Sequence, residues 1–164
     1  MLKSSKHTFK NIGWIIILIL PILISACGGP PNVDWELAIT GDVASPVTYS
    51  YEELAKMEMV NLEDVLMEKS RGEDEVRSFS GVLLDTLLEK AGVNEGFSTI
   101  TAMAADGYAI EISLDEMVNG IIALKQSNEW IVDADPGAGP IRLVFPETPA
   151  NRWVFQVNEI VINP

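Results

Sequence analysis

Side chains able to do chemistry are sparse in this chain. Among 164 residues there is one cysteine, Cys27, and one histidine, His7, so an intrachain disulfide is impossible and a Cys/His zinc cluster cannot be assembled. Ser-His-Asp and Cys-His devices need an imidazole beside the nucleophile, and only His7 could supply one. Arg142 and Arg152 stand beside glycine- and proline-rich loops. A guanidinium stays charged and can grip a carboxylate or phosphate bidentately, so the two form a candidate anion-binding pair. In so acidic a chain, internal salt bridges are the other reading. The segment 133–140, Asp-Ala-Asp-Pro-Gly-Ala-Gly-Pro, lacks the GxxxxGK[ST] pattern and leads into a strand, which excludes a nucleotide P-loop. Asp133 and Asp135 could contribute to a calcium site, but the acid that closes an EF-hand loop is replaced by Val144, so a plain turn is the simpler reading. No residue is assigned a catalytic or metal-ligating role.

The surroundings of Cys27 give it a different use. Lys3, Lys6, His7 and Lys10 precede an uncharged run over 11–26 that is interrupted by Pro21. A basic start followed by a short apolar stretch is the layout of an export signal. The run falls short of the roughly 20 residues needed to span a bilayer, which makes a permanent transmembrane helix the weaker alternative. It ends Leu23-Ile24-Ser25-Ala26-Cys27-Gly28, small residues followed by a cysteine, which resembles the bacterial lipobox. The resemblance implies cleavage before Cys27 and lipidation of its thiol, and two or more acyl chains make a stable anchor. Residues 1–26 are then the signal peptide, 27–34 a lipidated spacer, and 35–164 the folded domain, in an extracytoplasmic, membrane-anchored setting.

Composition agrees with one globular domain: 48% of residues are hydrophobic and 21% charged. The formal charge is −13, and removing residues 1–26 takes away three lysines and no acid, leaving 8 basic and 24 acidic residues and a net −16. Such a balance excludes nucleic acid as a partner, since that needs a basic face.

Periodicity gives the positioning elements. Residues 35–40 alternate apolar and polar as a half-buried strand does, and 47–49 form a second extended piece. Ser50-Tyr51-Glu52-Glu53 and Ser113-Leu114-Asp115-Glu116 have the spacing of capping boxes that start helices, the second ending at Gly120. A strand over 59–67, a polar turn over 70–74 and a returning strand over 75–79 lie between them. Gly81 opens the strongest helix, in which Leu84, Leu87, Leu88 and Ala91 share one face and Gly92 is the stop. Strands over 99–105 and 108–112 flank the turn Asp106-Gly107. A hairpin pairs 121–125 with 130–132, and strands over 141–145 and 153–162 end the chain. Trp35, Trp130 and Trp153 are read as core packing rather than as a ligand platform. Met57, Met59 and Met67 are read as core filler. Glu63, Asp64, Glu73, Asp74 and Glu75 are read as a solvated, edge-protecting acidic region. The pattern is α+β: a mainly antiparallel or mixed sheet with two or three short helices.

In this order the motifs resemble the oxidoreductase molybdopterin-binding domain of the sulfite oxidase family. The matching pieces run from Trp35-Glu36-Leu37-Ala38-Ile39-Thr40-Gly41-Asp42-Val43 through Phe79-Ser80-Gly81-Val82-Leu83-Leu84-Asp85-Thr86-Leu87-Leu88 and Ala104-Ala105-Asp106-Gly107-Tyr108. Pro46 and Glu52-Glu53-Leu54 follow the first piece, and Gly139-Pro140-Ile141-Arg142-Leu143-Val144-Phe145-Pro146, Arg152-Trp153-Val154 and Glu159-Ile160-Val161-Ile162 complete the series. The resemblance implies a sulfite-oxidase-like fold, a molybdenum held by a cysteine thiolate, and basic residues for the pterin phosphate. The thiolate would fall near 60–70, where there is no cysteine, and only Arg142 and Arg152 match late basic positions. The expectation is therefore a non-catalytic lipoprotein domain without a cofactor, attached to membrane lipid through Cys27 and binding a small anion or a membrane protein partner. Two alternatives stand beside it: a molybdopterin-dependent oxidoreductase with a non-cysteine metal ligand, and a structural subunit of a membrane transport or redox assembly.

Overall fold

The computed structural model describes residues 29–94 and 96–164. The export segment, His7 and Cys27 lie outside the described residues. In chain order the elements are β1 (Glu36–Gly41), β2 (Val47–Ser50), α1 (Tyr51–Lys56), β3 (Val60–Met67), β4 (Glu75–Leu83), α2 (Leu84–Ala91), β5 (Thr99–Ala104), β6 (Ala109–Ser113), β7 (Ile121–Gln126), β8 (Glu129–Trp130), α3 (Ile131–Ala134), β9 (Arg142–Val144), β10 (Val154–Phe155) and β11 (Val157–Asn163). Two 3-10 turns, Leu114–Met117 and Ala150–Arg152, complete the set.

The strands make two sheets. One has the order β2-β1-β11-β5-β6, with β1 parallel to β11 and the other pairs antiparallel. The other, β10-β9-β7-β4-β3 with β8 on β7, is antiparallel throughout. Alternation explains why each sheet has an inner face: Leu37 and Ile39 of β1, Ile100, Ala102 and Ala104 of β5, and Val157, Ile160 and Ile162 of β11 are buried. They belong to one apolar cluster with Phe79, Val82, Ile121, Leu143, Val144 and Phe145. The mainly β, mixed-sheet α+β reading with short helices holds.

Local signals hold at several points. Ser50 Oγ accepts the Glu53 N–H at 3.3 Å while Glu53 Oε2 accepts the Ser50 N–H at 2.8 Å, which closes the capping box of α1. Leu84, Leu87, Leu88 and Ala91 form the buried face of α2, and Gly92 ends it in the left-handed region at φ 66°.

Four expectations need correction. Gly81 does not open α2: it is a strand residue of β4, paired with Ala123 of β7, and a Cβ there would lie 2.0 Å from the Ile122 carbonyl oxygen. The glycine answers to close strand contact rather than to a helix start. Ser113 and Glu116 do bond as in a capping box, but the element they begin is a single 3-10 turn that ends before Gly120. Only Glu129–Trp130 of the 130–132 segment pairs with β7, and the chain turns at once into α3. The final strand over 153–162 is two strands in two different sheets, divided at Gln156, whose φ of 52° breaks the extended run. That sheet switch ties the layers together, since Gln156 N–H donates to Ile141 O and Gln156 O accepts from Ala105 N–H, each at 3.0 Å.

Candidate functional site

Arg142 begins β9, and only 2% of its surface is exposed. A buried guanidinium must have all its charge and N–H groups answered. Nη2 pairs with Asp135 Oδ2 at 2.6 Å, Nη1 donates to Gln126 Oε1 at 2.7 Å, Nε donates to Ala138 O at 3.2 Å, and the Phe155 ring lies 4.8 Å away. Burial pulls its pKa below the ordinary arginine value while the Asp135 pair pushes it back. These contacts shape the 133–140 segment, whose Asp135 is thereby a salt-bridge partner.

Arg152 sits in the 3-10 turn before β10 and reaches the segment after β6. Nε meets Glu116 Oε1 at 2.5 Å, and Nη2 donates to Glu116 Oε2 at 2.9 Å and to Glu111 O at 2.7 Å. Arg152 holds the Glu116 carboxyl down to about 2, helped by the Ser113 N–H and hydroxyl, and Glu116 in turn raises the Arg152 pKa. The structure therefore does not bring Arg142 and Arg152 together around one pocket. Each meets a carboxylate of its own, the arrangement of the salt-bridge reading.

An opening with mixed chemistry lies elsewhere. A cleft of about 490 Å³ is lined by Met67 at the end of β3, Lys69, Ser70 and Arg71 from the β3–β4 connection, Asp106 and Tyr108 from the β5–β6 turn, and Trp153 and Phe155 around β10. Ala104, Ala150 and Asn151 complete it. Its size falls within the usual range for small-molecule sites. Two backbone bonds hold the three segments: Ala150 N–H to Glu68 O and Ala105 N–H to Gln156 O, each 3.0 Å. Trp153, expected in the core, is 3% exposed, donates its indole N–H to Phe145 O at 2.9 Å and meets Phe79 edge-on at 5.6 Å, so it forms a fixed wall. Trp35 and Trp130 are half-buried against the core, away from this cleft.

The sequence reading missed Lys69, Arg71, Asn151, Tyr108 and Phe155. Residues 70–74 and Asp106-Gly107 carry turn chemistry, which marks where the chain reverses and says nothing of which turns meet. The one signal available was that Lys69 and Arg71 are two of the few basic residues after Cys27.

Among the described residues no group of three His, Cys, Asp or Glu side chains could hold a metal ion. Asp106 is the one carboxylate lining the cleft, and its Oδ1 already accepts the Tyr108 N–H at 2.9 Å. No helix of the described residues is long and apolar enough to cross a membrane.

The sulfane dehydrogenase SoxCD from Paracoccus pantotrophus superposes with a TM-score of 0.68 at 21% identity, over 83% of this chain and 40% of that one. At that identity the likeness is one of fold, and the chain spans under half of the SoxCD chain it matches. The comparison with curated proteins found no match. The family of the oxidoreductase molybdopterin binding domain matches over residues 27–164, which takes in both sheets, the cleft and both arginine ion pairs. By that match and the sulfite-oxidase-like fold that goes with it, the chain belongs to the oxidoreductase molybdopterin-binding domain family.

Proposed function

We propose that the protein is a lipid-anchored, extracytoplasmic member of this family whose domain acts as a binding module rather than as a redox catalyst, holding a small anion in the cleft beside β3 and β10. One observation carries the reading: beyond Cys27 the sequence contains neither cysteine nor histidine. A thiolate or imidazole is the ordinary protein donor for a transition ion of this kind, and Cys27 has its own use as the lipid attachment point. Among the described residues the cleft offers only Asp106 as an anionic ligand, and Arg142 and Arg152 already answer carboxylates of the chain. The residues present therefore do not fit a thiolate-held molybdenum pterin.

Metal and pterin content of the full chain purified from its native membrane tests this. Molybdenum far below one atom per chain is expected, and stoichiometric molybdenum with pterin would refute the binding-module reading, leaving the oxidoreductase with a non-cysteine ligand. The anchor has its own test. Cys27→Ser is expected to leave the precursor uncleaved or to release the protein from the membrane fraction, whereas a variant still cleaved and lipid-labelled rules the anchor out.

A further inference from the structure

We infer that the cleft takes a small organic monocarboxylate, its carboxylate on Arg71 and its apolar body against Phe155, Trp153 and Met67. This deepens the binding-module reading and rests on it.

The walls argue for an apolar body. Met67, Ala104, Ala150, Trp153 and Phe155 line the cleft, and Trp153 is fixed by its indole hydrogen bond. Tyr108 and Phe155, 46% and 37% exposed, are the most exposed aromatic side chains among the described residues, and both lie here. Phe155 is also backed by the buried Arg142 guanidinium at 4.8 Å. Exposed aromatics gathered in one concave place mark a site for a ligand more than chance solvent exposure does.

The mouth argues for a single negative charge. Two of the acids in and beside the β3–β4 connection are engaged: Asp74 Oδ1 accepts the Lys69 N–H at 2.9 Å, and the Glu75 carboxylate at the start of β4 takes both Lys69 Nζ and Arg77 Nη2. Arg71 is left with no hydrogen-bond or ion-pair partner among the described residues, and it lines the cleft beside the Ser70 hydroxyl. Across the cleft the Asn151 amide is a further donor. With Lys69 Nζ held by Glu75, Arg71 is the single unpaired cation of the lining among the described residues. That single cation matches a monoanion. A phosphate dianion or a polyphosphate would be under-compensated in a chain this acidic, with Glu68 and Glu73 close in sequence. A single guanidinium fork also fits the two oxygens of a carboxylate.

The test is calorimetry on the full chain in non-ionic detergent at low ionic strength, with benzoate and hexanoate, their neutral counterparts benzamide and hexanamide, and inorganic phosphate. At least one carboxylate is expected to bind saturably at one site, and its amide not to. Arg71→Gln should weaken that binding about ten-fold or more, the loss of one charge-assisted contact. Phe155→Ala should weaken it too, and Lys90→Gln, whose ammonium lines a different depression near Met57 and Thr86, should leave it unchanged. Absence of saturable binding by either carboxylate overturns the inference, as does unaltered affinity in Arg71→Gln or tighter binding of phosphate. Molybdenum content of the same sample separates the two levels: a molybdenum-free chain that ignores both carboxylates sinks this inference alone, and a molybdenum-loaded chain sinks the reading beneath it.

Discussion

Arg142 and Asp135 form an ion pair whose two halves should not cost the same to remove. The arginine side chain is 2% exposed and the aspartate 48%. Asp135→Ala strands a guanidinium in the interior with two neutral acceptors, Gln126 Oε1 and Ala138 O, and the Phe155 ring. Breaking a buried pair from the side that leaves the charge inside costs about 3–5 kcal/mol, and the remaining acceptors place this case at about 3 kcal/mol. Arg142→Met removes the buried charge altogether, keeps an unbranched stem of similar course against Phe155, and returns Asp135 to water. Three hydrogen bonds are lost; water replaces the one to the half-exposed Asp135, and the other two, at about 1 kcal/mol each, are partly offset by removing the burial penalty, so about 1–2 kcal/mol is expected. The double variant should cost no more than Arg142→Met alone, because Asp135 has nothing left to neutralise. Urea unfolding followed by tryptophan fluorescence measures all three. If Arg142→Met destabilises as much as Asp135→Ala, or if the two costs add in the double variant, the account of Arg142 as a charge buried for the fold is wrong.

Three further outcomes follow from particular contacts. Glu116 has a folded pKa of about 2, below its ordinary 4.5, so its ion pair stabilises fully above pH 4.5 and that contribution fades as pH falls toward 2; Glu116→Gln should flatten acid unfolding in this window, and equal slopes in both proteins would contradict the pair's role. The Tyr51 hydroxyl is buried with no partner among the described residues, and its pKa is pushed up to about 12 by burial and by Asp133. Tyr51→Phe should thus be neutral or stabilising by up to about 1 kcal/mol in urea melts, a clear loss meaning that the hydroxyl is bonded. Gly81→Ala places a methyl 2.0 Å from Ile122 O and 2.6 Å from Ala123 Cα, both backbone atoms; a cost of about 3 kcal/mol or more is expected, and a variant that melts like the wild type would show that β4 and β7 approach less closely.

What the sequence revealed and what it concealed divide along range. The Ser50-Glu53 box, the apolar face of α2 and the Gly92 stop are local, each decided by residues within two turns of one another, and all are found where the pattern puts them. Gly81 was misread because a glycine before an apolar helix looks like a helix start, whereas its reason lies across the sheet on Ile122 and Ala123. The run from Trp153 to Ile162 is β-favouring throughout, and only the positive φ at Gln156 lets it serve two sheets. The same limit hid the cleft. Arg71, Tyr108 and Phe155 are far apart in the chain and meet only because Ala150 bonds to Glu68 and Ala105 to Gln156. Arg142 and Arg152 were legible as cations at loops, and their partners Asp135 and Glu116 were legible only in three dimensions.

Binding linkage shows whether the folded chain holds a molybdenum pterin. A cofactor that binds the folded chain and not the unfolded one raises its unfolding midpoint, by an amount that grows with the logarithm of its affinity. The full chain should be produced in a bacterial host that makes the molybdenum pterin and in one that cannot, and the two preparations melted side by side. Coincident midpoints, with no molybdenum retained in either, are what a binding module without a metal donor gives. A higher midpoint and retained molybdenum in the first preparation alone would contradict the account.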